Sequence, residues 1–239
     1  MNLKKYILIL VLCSLSGAII VPSMAQPMLR APEMYIGVQG GVQASTVLYS
    51  PTVSYMNNPF TNGVLLGGDG GLVFRYAGHK VCGLQVELNY MHRGWREHDA
   101  STGTYERHLH YLELPFLMHL YFPQQRSVRG FLNLGPQIGF CIADTYSGTP
   151  LSAAASKQYQ SLNSRFDWGL AAGLGFYVRT QKAGLYQLEL RANYSLGSIY
   201  GTQPGDYFSR ANPLDVSINL GWLWPLNKQV KNPKVKIKN

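Results

Sequence analysis

Between Leu84 and Tyr90, and again between Leu188 and Tyr194, the chain alternates strictly between apolar and polar residues. Leu84, Val86, Leu88 and Tyr90 share one face, and Gln85, Glu87 and Asn89 share the other. In the second stretch Leu188, Leu190, Ala192 and Tyr194 oppose Glu189, Arg191 and Asn193. A period of two belongs to the β-strand, so each stretch is a ribbon with one apolar and one polar face. Carboxylates on the polar face are out of place in an ordinary protein core, where an unpaired charge is costly. The pattern therefore predicts an all-β fold with its apolar face turned outward, toward lipid.

An export signal agrees with that reading. Lys4 and Lys5 precede an apolar run from Tyr6 to Ile20, and Ser23-Met24-Ala25 offers a small-x-small cleavage site between Ala25 and Gln26. The run is short for a spanning helix, which needs about 20 apolar residues. Cys13 lacks the small residue expected just before a lipidated cysteine. The expected organisation is a signal peptide over 1–25, an N-terminal periplasmic segment over 26–33, a barrel over 34–224 and a basic periplasmic tail over 225–239.

Net charge over the 239 residues is +9. Two of the lysines lie in the signal, and Lys228, Lys231, Lys234, Lys236 and Lys238 lie in the tail. Between Gln26 and Asn227 there remain 14 basic and 12 acidic residues, so the basic balance gives little ground for nucleic-acid binding. Cys82 and Cys141 are expected to be free, because the layout puts them at opposite ends of their strands and a bridge needs Cα atoms within about 7 Å.

Alternation predicts eight antiparallel strands: Met34–Val42, Gly63–Tyr76, Val81–Met91, Tyr111–Phe122, Val128–Ile142, Phe166–Val178, Leu185–Tyr194 and Leu214–Trp224. Their connections alternate in length. Ala77–Lys80, Pro123–Ser127 and Arg179–Gly184 are short, whereas Gln43–Asn62, His92–His110, Ala143–Arg165 and Ser195–Pro213 are long. Short turns on one rim and long loops on the other mark an outer-membrane barrel, with the short turns in the periplasm and the long loops outside the cell. A lipocalin-like barrel would turn the apolar face inward. Rings near strand ends suit two aromatic girdles: Tyr35, Tyr76, Tyr90, Phe140, Trp168, Tyr194, Trp222 and Trp224.

The polar faces give one candidate site, a lumen network of Asp69, Arg75, Glu87, Glu113, His119, Asp167, Glu189, Arg191 and Asp215. An eight-stranded barrel is only wide enough for its own side chains. The network is thus expected to plug the barrel, with Arg75, Arg191 and His119 as partners of the acids. Glycines on that face (Gly67, Gly71, Gly135, Gly139, Gly169, Gly173 and Gly175) make room for larger neighbours. Gly67-Gly68-Asp69-Gly70-Gly71 lacks the lysine and helix of a phosphate cradle.

His92, His98, His108 and His110 crowd the second long connection, with Glu97, Asp99 and Glu106 nearby. His108 and His110 share a strand face and are the pair able to chelate a metal. The expected reading is nonetheless a solvated loop, with no metal and no cofactor. His98, Asp99 and Ser101 are the one local cluster of catalytic residue types, and proximity in a loop does not make a triad. No catalysis is expected.

The run Arg107-His108-Leu109-His110-Tyr111-Leu112-Glu113-Leu114-Pro115-Phe116, continuing to Phe122, resembles the central strand of PorT-like outer-membrane barrels associated with type IX secretion. Asn133-Leu134-Gly135-Pro136-Gln137-Ile138-Gly139-Phe140 is similar to that family's next strand. Glu87-Leu88-Asn89-Tyr90, Arg93-Gly94-Trp95 and Phe166-Asp167-Trp168-Gly169 add to the likeness, which covers most of Gly83 to Tyr177. A broader superfamily of small outer-membrane barrels shares the Leu-Glu-Leu-Pro and Gly-Pro elements. The resemblance implies a non-enzymatic accessory component of type IX secretion, in contact with outer-membrane lipid and other secretion components. The alternatives are a general small barrel for adhesion or envelope stability, or a narrow pore. One departure is that Trp224, the terminal aromatic of the last strand, precedes a basic extension over 225–239.

Overall fold

The computed structural model describes residues 33–50, 61–78, 81–99, 103–122, 128–148, 162–180, 183–201 and 210–226. Eight strands close into one antiparallel barrel in sequence order: β1 (Glu33–Ser50), β2 (Thr61–Ala77), β3 (Cys82–Asp99), β4 (Gly103–Tyr121), β5 (Val128–Gly148), β6 (Phe166–Arg179), β7 (Leu185–Ser195) and β8 (Arg210–Pro225). Closure comes from β1 pairing with β8, with Ile36 opposite Trp224 and Thr46 opposite Leu214. A closed ladder leaves no strand edge with unpaired amides, the condition for crossing hydrocarbon as sheet. The signal segment, its cleavage site at Ala25 and Gln26, and the basic tail lie outside the described residues.

Apolar side chains cover the outside. Val42, Leu66, Leu72, Leu112, Phe116, Leu174, Ile218 and Leu220 are all exposed, whereas the inward neighbours Gln85, Glu87, Asn133 and Glu189 are buried. Tyr76, Tyr90, Phe140, Trp168, Tyr194, Trp222 and Trp224 stand on this outer face, as a girdle requires. Tyr35 does not. It is buried in the lumen with Val73, Phe131, Tyr177, Leu185 and Leu223, and its hydroxyl donates to Glu33. The alternation of β1 explains this, since Ile36 and Val38 hold the outward places and Tyr35 takes the opposite phase.

The strands run further than their apolar alternation. β1 continues to Ser50, β5 to Gly148, and β3 and β4 extend to Asp99 and back from Gly103. The stretch expected as a solvated loop, His92–His110, is therefore mostly a β-hairpin rising beyond the apolar band. Its outward face can be polar there because water has replaced lipid, so apolar alternation was the wrong signal for its limits.

Two prolines interrupt the wall. Pairing of β3 with β4 lapses between Val86↔Phe116 and Asn89↔Glu113, beside Pro115. Pairing of β4 with β5 lapses between Pro115↔Gln137 and Met118↔Leu134, beside Pro136. Proline has no N–H to give to a ladder, so its place within a sheet is confined to such breaks.

Candidate functional site

Inside the barrel the side chains form layers. The lowest, at the short-turn end, is the aromatic cluster around Tyr35, Phe131 and Tyr177, flanked by the Arg179–Glu33 ion pair at 3.2 Å. Above it, Arg75 donates to Gln85 Oε1 (2.6 Å) and Gln187 Oε1 (2.5 Å), with its guanidinium 5.7 Å from the Phe131 ring. His119 Nδ1 donates to Asn133 Oδ1 at 2.6 Å, and Asn133 donates in turn to Glu189 at 2.9 Å.

The next layer is centred on Arg191. Its two terminal nitrogens reach both oxygens of Glu87 at 2.5 and 2.7 Å, a bidentate fork, and it also donates to Glu189 at 3.0 and 3.1 Å. Gln39 and Asn89 donate to Glu87 at 2.7 and 2.8 Å, and Gln85 donates to it as well. Buried ions are tolerated when they are paired and their remaining lone pairs are satisfied. Gly173 permits this arrangement: a Cβ there would stand 2.0 Å from Glu189 Oε1.

A third layer is built on Arg93, which lies beyond the predicted third strand Val81–Met91 and outside the predicted network. Arg93 Nη1 lies 2.9 Å from Glu113 and 3.2 Å from Asp215, and Nη2 lies 2.5 Å from Asp167. Its guanidinium sits 3.8 Å over the Tyr111 ring. Ser195 donates to Asp167 at 2.6 Å. The signal for Arg93 was present, because it continues the inward phase of Gln85, Glu87 and Asn89. Met91 interrupts that phase with an apolar residue, which hid it. Of the predicted set, Glu87, Glu189 and Arg191 meet in one layer, Glu113, Asp167 and Asp215 meet around Arg93, and Arg75 and His119 lie below. Asp69 is half-buried and stands opposite Gly41 and Met91.

Beyond Arg93 the interior gains an apolar cluster, with Glu97 and Arg107 buried beside it. Val47, Met91, Trp95, Leu109, Tyr111, Cys141, Ile199, Tyr200 and Ala211 form one buried cluster. Ile199 and Tyr200 come from the segment after β7, which folds into the barrel mouth. Ile199 N donates to Ala211 O at 2.9 Å, and Asn163 N donates to Ile199 O at 2.9 Å. Arg107 grips Asp144 through two bonds (2.8 and 2.5 Å) and donates to the Tyr200 hydroxyl at 2.9 Å. Burial pushes that hydroxyl above its ordinary pKa, so it stays protonated beside the guanidinium. Tyr49 and Trp95 both donate to Glu97, at 3.0 and 2.9 Å. The narrow space between Arg93, Trp95, Leu109, Ile199 and Asp215 leaves no room for a water molecule.

His98 Nδ1 lies 3.0 Å from the Thr104 hydroxyl; Ser101 and the Asp99 side chain lie outside the described residues. Among the described residues, no three His, Cys, Asp or Glu side chains converge as a three-ligand metal centre. Glu97 points inward, away from the histidines on the outer face of the hairpin. Cys82 and Cys141 are free thiols.

The family described as "Outer membrane protein beta-barrel domain" matches residues 24–201. Among solved structures, OprG of Pseudomonas aeruginosa is similar with 15% identity and a TM-score of 0.48, over 82% of this chain and 97% of that one. The attachment invasion locus protein Ail of Yersinia pestis, solved with the heparin analogue sucrose octasulfate, shows 13% identity and a TM-score of 0.41, over 80% of this chain and 99% of that one. Neisserial surface protein A gives 13% identity and a TM-score of 0.41, over 79% and 96%. No curated protein matches the chain significantly. The closed eight-stranded ring, the apolar exterior and the family match over residues 24–201 lead to one conclusion: the chain belongs to the outer membrane protein β-barrel family and lies in the outer membrane, in contact with its lipid.

Proposed function

We propose that this protein is a closed, non-enzymatic barrel that works through its two rims, as an accessory component of type IX secretion rather than its conduit. The observation that supports closure is the filled interior. Three arginine-centred layers occupy the lumen, and Trp95, Ile199 and Tyr200 pack above them. A folded cargo has no passage through such a barrel. The part in secretion rests on the resemblance of Arg107–Phe122 and Asn133–Phe140 to PorT-like barrels. The partners it implies are other type IX components, with the hairpins at the cell surface and the short turns in the periplasm.

Deleting the gene tests this reading. Type IX cargo is expected to accumulate as unprocessed precursors in the periplasm, while permeability of the outer membrane changes little. Normal surface delivery of all such cargo rejects the secretion role. It would leave the general reading, a small barrel serving adhesion or envelope stability.

A further inference from the structure

The outward face of the β3–β4 hairpin changes character at Tyr90. Below it stand Leu84 and Leu88; above it stand His92, Arg96 and His98, facing Glu106, His108 and His110 on β4. His92 pairs with His110 in register, and Gly94, which has no side chain, pairs with His108. The His92 and His110 rings lie nearly parallel with centroids 4.7 Å apart, and His92 and His108 are 5.3 Å apart at 17°. His92 Nε2 comes within 3.1 Å of His108 Nδ1.

We propose that His92 and His108 form a two-imidazole site for a borderline divalent ion such as Zn²⁺ or Ni²⁺, clamping β3 to β4 outside the apolar band. Zinc binds imidazole nitrogen at 2.0–2.1 Å, so two nitrogens on one tetrahedral ion stand roughly 3.3 Å apart. The observed 3.1 Å separation already meets that within a few tenths of an ångström. At present the two nitrogens share one N–H···N bond. Binding requires the His92 proton to move from Nε2 to Nδ1, which leaves both facing lone pairs for the metal.

The surrounding groups suit this. Glu106 Oε2 lies 3.5 Å from His108 Nε2, the nitrogen away from His92. That carboxylate, itself bonded by Arg96 Nε at 2.5 Å, attracts the N–H to the far side by its charge and leaves the lone pair on Nδ1, the usual support for a metal-bound histidine. His110 is anchored by the Tyr90 hydroxyl at 2.6 Å from its Nδ1, and its ring backs His92. Both ligands are partly exposed, so water completes the coordination and the ion has open access. Nitrogen donors disfavour Ca²⁺ and Mg²⁺, which take oxygen ligands.

The test uses the full chain, folded in detergent with a histidine-free affinity tag, titrated calorimetrically with Zn²⁺ at neutral pH. One Zn²⁺ per chain is expected. His92→Gln and His108→Gln should each weaken binding at least tenfold, Glu106→Gln severalfold, and His98→Gln less than twofold. Heat-modified migration in gels confirms that each variant is folded, and Ca²⁺ should give no heat at this site. No Zn²⁺ uptake by the wild-type chain, or uptake unchanged in the folded His92→Gln/His108→Gln double variant, overturns the proposal.

Discussion

β3 shows the molecule's two regions on a single strand. From Leu84 to Tyr90 its leucines, valine and tyrosine point out and Gln85, Glu87 and Asn89 point in. From His92 to His98 the outward places go to His92, Arg96 and His98, and Trp95 is fully buried inside. β4 turns over in the same way: Leu112, Phe116 and Met118 face outward in the band, whereas Leu109 and Tyr105 face inward beyond it. The backbone is the same ladder throughout. What changes is the solvent outside, and the side chains follow it. The inversion marks where lipid ends.

The comparison predicts where substitutions hurt. The largest effect should come from the middle of the band. Arg191→Met leaves Glu87 and Glu189 buried without their cation, at a cost of about 3–5 kcal/mol. Urea unfolding in lipid vesicles measures it. The matching change above the band, Arg107→Met, leaves Asp144 where water reaches it, and should cost about 1–3 kcal/mol. Equal losses would mean that the two regions do not differ in solvation.

Next in size is charge placed on the outer face. Leu220→Arg puts a guanidinium against lipid and should cost about 2–4 kcal/mol, whereas His98→Arg on the hairpin should stay within about 0.5 kcal/mol. A similar penalty at both positions would place the hairpin inside the membrane. Smaller again is Tyr200→Phe, which removes the hydroxyl that Arg107 bonds and should cost about 1 kcal/mol. The readout for this last variant is proteolysis of the segment around Ile199, expected to quicken as the mouth loosens.

The fold was legible because lipid imposes a strict period: Leu84–Tyr90 and Leu188–Tyr194 name their faces without help from tertiary structure. The strand ends were not legible. Beyond Tyr90 no single polarity marks the outside, since His92, Arg96 and His98 look like loop residues until Trp95 and Leu109 are seen buried opposite them. Arg93 was hidden differently, by the apolar Met91 that precedes it in the inward phase, although three carboxylates depend on it. Tyr35 shows the converse error. A ring near a strand end reads as girdle, and only its phase against Ile36 and Val38 sends it into the lumen. The bond between Ile199 and Ala211 joins a loop to the start of β8, and alternation carries no information about such a contact.

Closure of the lumen is the central claim, and single-channel recording in planar bilayers tests it most directly. With Arg75 bonded across the lumen to Gln187, Arg191 to Glu87, and Arg93 to Asp167 and Asp215, and with Tyr200 above them, reconstituted protein should show little stable conductance. Large, long-lived openings in the wild-type chain would contradict it.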